Sequence, residues 1–150
     1  MGVIPRQIYR TIEWQLHNAE DAARRCREQL QDVLDRAQPG GSIAGNGKGP
    51  PGDRTGKTAV LLCEKAQDIA EQEQWLLCIR LTREYFRGSV TGQVADQYYG
   101  RNVTILQVAE QMHYDKQSIN RYRDRYVSFL ALLASSRGLI RLAAWAEERT

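Results

Sequence analysis

Two stretches of this chain hold residue types whose spacing could do chemistry. The first, Gly52 to Thr58, reads GDRTGKT. Glycine followed by Lys57 and Thr58 is how a phosphate-cradling loop ends. In such a loop backbone amides wrap the phosphates, the lysine sits on them and the hydroxyl holds Mg²⁺. The motif requires a glycine five positions before Gly56, and that residue is Pro51, which has no amide hydrogen to offer. No buried strand precedes it. A helix N-terminus after glycines still attracts anions, but nucleotide hydrolysis is not expected.

The second stretch lies in TILQVAEQMHYDKQSINRYRDRY, Thr104 to Tyr126. It reads as a helix of about eight residues, a turn at His113 and Tyr114, and an N-cap at Asp115. A long helix with a polar, basic start follows. Small Ala109 stands where a second helix must cross closely. In that second helix Ile119, Tyr122, Tyr126, Phe129 and Leu133 recur at three- and four-residue intervals, the stripe expected to face a core. Gln117, Asn120, Arg121 and Asp124 point away from it, at i, i+3, i+4 and i+7. Those side chains suit base edges in a major groove: Gln and Asn match adenine, Arg matches guanine, and Asp accepts from cytosine. Lys116, Arg123 and Arg125 flank the face and are expected to hold phosphates, with Arg101, Arg137 and Arg141 extending the basic footprint. The implied partner is double-stranded DNA.

Other chemistry finds little support. Cys26, Cys63 and Cys78 are odd in number and widely spaced, and the chain has two histidines, so neither a paired disulfide framework nor a zinc site is expected. The cysteines read as small buried hydrophobes, and His113 as a structural turn residue. No carboxylate pair or nucleophile with its base is spaced for catalysis. The expectation is no enzyme, no cofactor and no metal.

The elements that must position the polar face follow from periodicity. From Arg6 to Ala37, Tyr9, Ile12, Leu16, Ala19, Ala23, Cys26, Leu30, Val33 and Ala37 form an unbroken 3.5-residue seam. One continuous helix is predicted there, on the order of 48 Å long, packing lengthwise as a hairpin arm or in a dimeric coiled coil. Residues 38–57 hold seven of the twelve glycines and three of the four prolines, and read as a flexible linker. A second long helix is expected over 58–87, with Leu62, Ala66, Ile69, Leu76 and Leu77 on one side. Trp75, Ile79, Leu81, Tyr85 and Phe86 widen its apolar surface. Residues 88–150 then form a helix-turn-helix module. It opens with a short helix from Thr91 to Tyr99, and a last one follows the stop at Gly138. No segment alternates like a strand. The predicted fold is all-α: two long helices joined by a Gly/Pro-rich linker, then a helix-turn-helix bundle.

Composition is consistent with that. At 150 residues the chain can bury roughly 70% of its unfolded surface. No run of 18 apolar residues marks a membrane span. The opening MGVIPRQIYRTIEW carries charge where a signal peptide needs an apolar run, so a cytoplasmic protein is expected. Net charge is only +3, but its placement is uneven. Residues 1–100 hold 13 basic and 13 acidic side chains, whereas 101–141 hold seven basic and three acidic. The positive excess coincides with the polar helix and points to a polyanion.

Thr104 to Tyr126 resembles the helix-turn-helix of sigma factor region 4, where a T-L-x-E-I-A-x-x-L-x-[VI]-S-x-x-x-V pattern docks on promoter DNA. The positions here are Thr104, Ile105, Leu106, Val108, Ala109, Met112, Tyr114, Asp115 and Ile119. Asp115 replaces the usual capping serine, and His113 stands where glycine is common. In layout nearly the whole chain is similar to the RinA/ArpU-type phage transcriptional regulators. These have a long N-terminal helix, here opening on Ile12, Glu13, Trp14 and Leu16, then a Gly/Ser-rich linker, a second long helix and a sigma-like module. The resemblance implies a sequence-specific DNA-binding activator of late phage genes, homo-oligomeric and with RNA polymerase as a further partner. Two alternatives stay open: a small-terminase-like packaging protein that forms a ring, and a helical protein–protein adaptor with no nucleic-acid role.

Overall fold

A computed structural model describes residues 4–37 and 53–141. Every regular element among them is helical. In order these are α1 (Arg6–His17), α2 (Ala19–Ala37), α3 (Asp53–Tyr85), α4 (Val90–Ala95), a π-helical turn (Asp96–Gly100), α5 (Ile105–Met112) and α6 (Lys116–Ser136). The chain divides into two compact units, one comprising Met1–Glu20 with Gln74–Thr150, the other Asp21–Glu73. The N-terminal helix therefore belongs with the C-terminal elements, not with a separate arm as the linear reading expects.

The predicted single helix over Arg6 to Ala37 is broken at Asn18. Its backbone leaves helical geometry at φ −104°, ψ 10°, and its side-chain amide donates to the Trp14 carbonyl at 2.8 Å. An asparagine bonded to its own helix offers the backbone an alternative to the next helical turn. Downstream the seam loses its cover. Ile12, Leu16, Ala19 and Cys26 are buried, but Leu30 is exposed, and Ala22 is buried where the seam expects Ala23.

In the larger unit the main core joins Ile12, Leu16 and Ala19 to Trp75, Cys78 and Ile79 of α3, Ala95 and Tyr99, and Tyr126, Val127, Leu130, Ala131 and Ala134 of α6. Helices α1, α4 and α5 all pack on α6. The buried stripe of α6 is thus Ile119, Tyr126, Val127, Leu130, Ala131 and Ala134; Phe129 and Leu133, expected in the core, are only half-buried. Thr82 lies in the interior of α3, its hydroxyl satisfied by the Cys78 carbonyl at 2.8 Å.

The expected linker, 38–57, is partly corrected. Residues 38–52 lie outside the described residues, but Asp53 to Lys57 form the first turns of α3. Beyond Pro51 the only residue there that disfavours a helix is Gly56, and one glycine costs about 1 kcal/mol, which a helix of 33 residues tolerates. At its other end α3 stops at Tyr85, and Gly88 takes φ +77°. The expected helix from Thr91 to Tyr99 is instead α4, capped by Ser89, running into the π-helical turn. Gly138 ends α6 as predicted. At φ +75° it donates to the Ser135 carbonyl, while Leu139 donates to Ala134 at 2.9 Å, closing a Schellman motif. Leu139 to Arg141 are not helical, and the remainder of the predicted last helix lies outside the described residues.

In the smaller unit the fully buried apolar side chains among the described residues are Ala22, Cys26 and Ile69. Leu30, Leu34, Val60 and Leu61 stay exposed. No helix among the described residues is long and apolar enough to cross a membrane.

Candidate nucleic-acid interface

The polar face of α6 is positioned by a small second core and two strong caps. Val94 of α4, Val108 and Ala109 of α5, and Ile119 of α6 form the buried centre, with Val90, Val103, Ile105, Met112 and Tyr122 around it. Thr104 opens α5 with a capping box. Its hydroxyl accepts from the Gln107 amide and the Gln107 side chain accepts from the Thr104 amide, both at 3.2 Å. The turn then needs a left-handed residue, and His113 supplies it at φ 59°. The next residue, Tyr114, donates back to Ala109 at 3.1 Å. Asp115 accepts from the Ser118 amide at 2.8 Å and so starts α6. Hydrogen bonds from Ser118, with a smaller contribution from Arg121, hold the Asp115 carboxyl below the usual carboxylate range. A charged cap at the positive end of a helix is the favourable arrangement.

Along the first three turns of α6, Lys116, Gln117, Arg121 and Arg125 are exposed, and Asn120 is half-buried. Gln117, Arg121 and Arg125 share one line at four-residue spacing. Arg125 also lies over the Tyr122 ring at 5.9 Å, and Tyr122 meets Tyr114 edge-on at 5.7 Å. These aromatic contacts restrict where the guanidinium can swing.

Two residues of the expected site have other work. Arg123, expected on phosphates, is turned towards α1: its Nε donates to the Tyr9 hydroxyl at 2.9 Å, and its guanidinium lies 5.5 Å from the Tyr9 ring and 5.3 Å from the Tyr98 ring. Asp124, expected on a base edge, is exposed but accepts from the same Tyr9 hydroxyl at 2.8 Å. The reason is lateral packing. Helix α1 lies along that flank of α6, so residues that a wheel drawn for α6 alone places in water meet a neighbour. Burial, then the bond to Asp124, raises the Tyr9 hydroxyl well above the ordinary tyrosine range. Burial acts to lower Arg123, but Tyr9, Glu13 and Tyr99 outweigh it and hold the guanidinium protonated. Tyr99 in turn donates to Glu13 at 3.0 Å, and His17 packs edge-on against Tyr98 and Tyr99.

No protein-family model, curated protein or solved structure matches the chain. The site must therefore be read from its own chemistry.

Of the wider basic footprint, Arg101 and Arg141 are exposed, and Arg137 donates to the Gln74 side chain at 2.9 Å. Tyr9 is the residue that sequence reasoning missed. It sits in the α1 seam as an apolar position, and nothing in its spacing signals a hydroxyl bridging two charges on α6. The cysteines also divide. Cys26 and Cys78 are buried, with thiols raised by burial, whereas Cys63 is exposed, contrary to expectation. Among the described residues no group of three or more His, Cys, Asp or Glu side chains is placed to hold a metal.

Proposed function

We propose that this protein is a non-enzymatic, sequence-specific DNA-binding regulator in which α5 and α6 act as a helix-turn-helix. The observation that carries this is the exposed line Gln117–Arg121–Arg125, with Lys116 beside it, at the start of a capped helix. Gln117 and Arg121 stand in the first two turns, with Asn120 at their edge, where a recognition helix meets base edges. Arg125 stands a turn further on, and Lys116 at the cap. Both suit phosphates, whose contacts set register without reading sequence. Arg123 and Asp124 are assigned to holding α6 on α1. The resemblance to phage late-gene regulators extends the reading to transcription, with α2 and α3 as the long helices of an arm and RNA polymerase as a further partner.

The test is binding to a selected site and to a scrambled duplex across a salt series. Arg121→Ala should cost about 1–3 kcal/mol on the selected site and relax preference at one base position. Arg125→Ala should weaken both duplexes alike and reduce the salt slope by about one counterion. Folded variants that bind as wild type does, or a wild type that binds no duplex at low salt, would overturn the assignment.

A further inference from the structure

The larger unit holds a cleft of about 230 Å³ where the end of α3 meets α4 and α6. None of Gln117, Arg121 and Arg125 lines it. Its chemistry comes from Arg83 of α3, Arg87 just beyond that helix, Gln93 of α4, Asp96 of the π-helical turn and Tyr126 of α6. Tyr126 is 2% exposed and belongs to the interior, whereas the other four are exposed. Sites for drug-sized ligands run to roughly 300–1,000 Å³, so this one suits a small metabolite. Its charges are of both signs. Arg87 is already engaged, its Nη2 donating to Glu84 at 2.6 Å. That leaves Arg83 and Asp96, and among the described residues neither forms an ion pair. Both nevertheless act on one hydroxyl: burial raises Tyr126, Arg83 opposes that and Asp96 adds to it. A base and an acid thus stand around one buried phenol without bridging each other.

We propose that this cleft binds a small zwitterion, an α-amino acid, with its carboxylate on Arg83 and its ammonium on Asp96. The unbridged pair of charges selects that class. A simple anion such as phosphate would meet Asp96, and a simple cation would meet Arg83; like charges at short range repel. A molecule carrying both signs satisfies both ends. The Arg83 guanidinium offers a planar fork that matches a carboxylate through two parallel bonds. The Tyr126 hydroxyl is protonated at neutral pH and donates to the same carboxylate. Asp96 has two oxygens to accept from the ammonium. A ligand so held ties α3 to the π-helical turn and α6, and binding to the folded form alone stabilises it. The proposal goes beyond the DNA-binding reading, and it is tested without DNA.

The experiment is proton–nitrogen correlation NMR on the full chain, titrated with each standard amino acid to about 10 mM, with thermal melting alongside. At least one amino acid should shift the amides of Gly88, Gly92 and Gln93 and raise the melting temperature. Its N-acetyl derivative lacks the ammonium and its amide lacks the carboxylate, and each should bind about tenfold more weakly. Arg83→Gln and Asp96→Asn should each weaken binding by about tenfold with helicity unchanged. Arg80→Gln, outside the cleft, should bind as wild type does. The two derivatives carry the test if a variant fails to fold. If no amino acid shifts those amides, the proposal is overturned. It is equally overturned by an amino acid that binds Arg83→Gln and Asp96→Asn as it binds wild type. So it is by inorganic phosphate, or a derivative of one charge, that shifts the same amides as strongly.

Discussion

Replacing Gly92 with alanine sets two physical effects against each other, and the structure decides the sign. Gly92 lies in α4, where helix propensity alone favours alanine by about 1 kcal/mol. A Cβ built there would stand 2.2 Å from the Phe86 carbonyl oxygen, about 1.2 Å inside the 3.4 Å at which ordinary contact begins. That oxygen is not free to retreat, since it accepts from the Ser89 amide at 3.0 Å and from the Ser89 hydroxyl at 2.6 Å. The Ser89 hydroxyl in turn accepts from the Gly92 amide at 3.1 Å as the cap of α4. Relief requires moving α4 away from the turn at Phe86 or giving up bonds worth about 1 kcal/mol each. Overpacking of this kind costs about 1–3 kcal/mol. With the cap disturbed at about 1 kcal/mol as well, which offsets the propensity gain, the net loss should be about 1–3 kcal/mol. For a unit of this size that lowers the melting temperature by on the order of 10 °C. Thermal unfolding followed at 222 nm measures it. A Gly92→Ala protein that melts at or above the wild-type temperature would show that the close approach is not maintained in solution.

Two further outcomes follow from the same geometry. His113→Gly should stabilise the protein by about 0.5–1 kcal/mol, because it relieves a left-handed backbone at φ 59° that an exposed histidine occupies at a cost; an unchanged or lower melting temperature would refute this. Burial pushes the Tyr126 hydroxyl up to about 12, against the opposing pull of Arg83. Since the unfolded value is about 10, the fold favours the protonated form, so this stability is complete below pH 10 and lost as pH rises towards 12. Tyr126→Phe should flatten that part of the alkaline decline in denaturant titrations, and an identical pH profile for the variant would count against it.

What the sequence made legible was local. Thr104, Asp115 and Gly138 announce their caps through side-chain chemistry that acts within a few residues, and α5, the turn and α6 stand where those signals put them. The failures have a common physical origin in contacts made at long range. The heptad seam counts Asn18 as one neutral position among the 32 from Arg6 to Ala37, and cannot register that its amide would bond back to Trp14. The α6 stripe drawn through Phe129 and Leu133 is turned inward by about a quarter of the helix, towards Val127, Leu130 and Ala134, because α1 and α4 both pack on it. The same crowding takes Arg123 and Asp124 out of the candidate interface. Gln117 and Arg121 are exposed as the helical wheel places them, because no neighbouring helix covers that side of α6.

The bond between Arg123 and Tyr9 spans 114 positions of the chain, and this has a consequence for how the protein is made. Synthesis proceeds from the N-terminus at about 5–20 residues per second. Ile12 and Leu16 therefore emerge on the order of ten seconds before the α6 residues that complete their core. Until then α1 presents an uncovered apolar stripe on a nascent chain. A messenger cut short before α6 would yield a product with that stripe permanently bare. Prematurely ended chains, more than folded ones, should be the species that aggregate or are cleared by proteolysis.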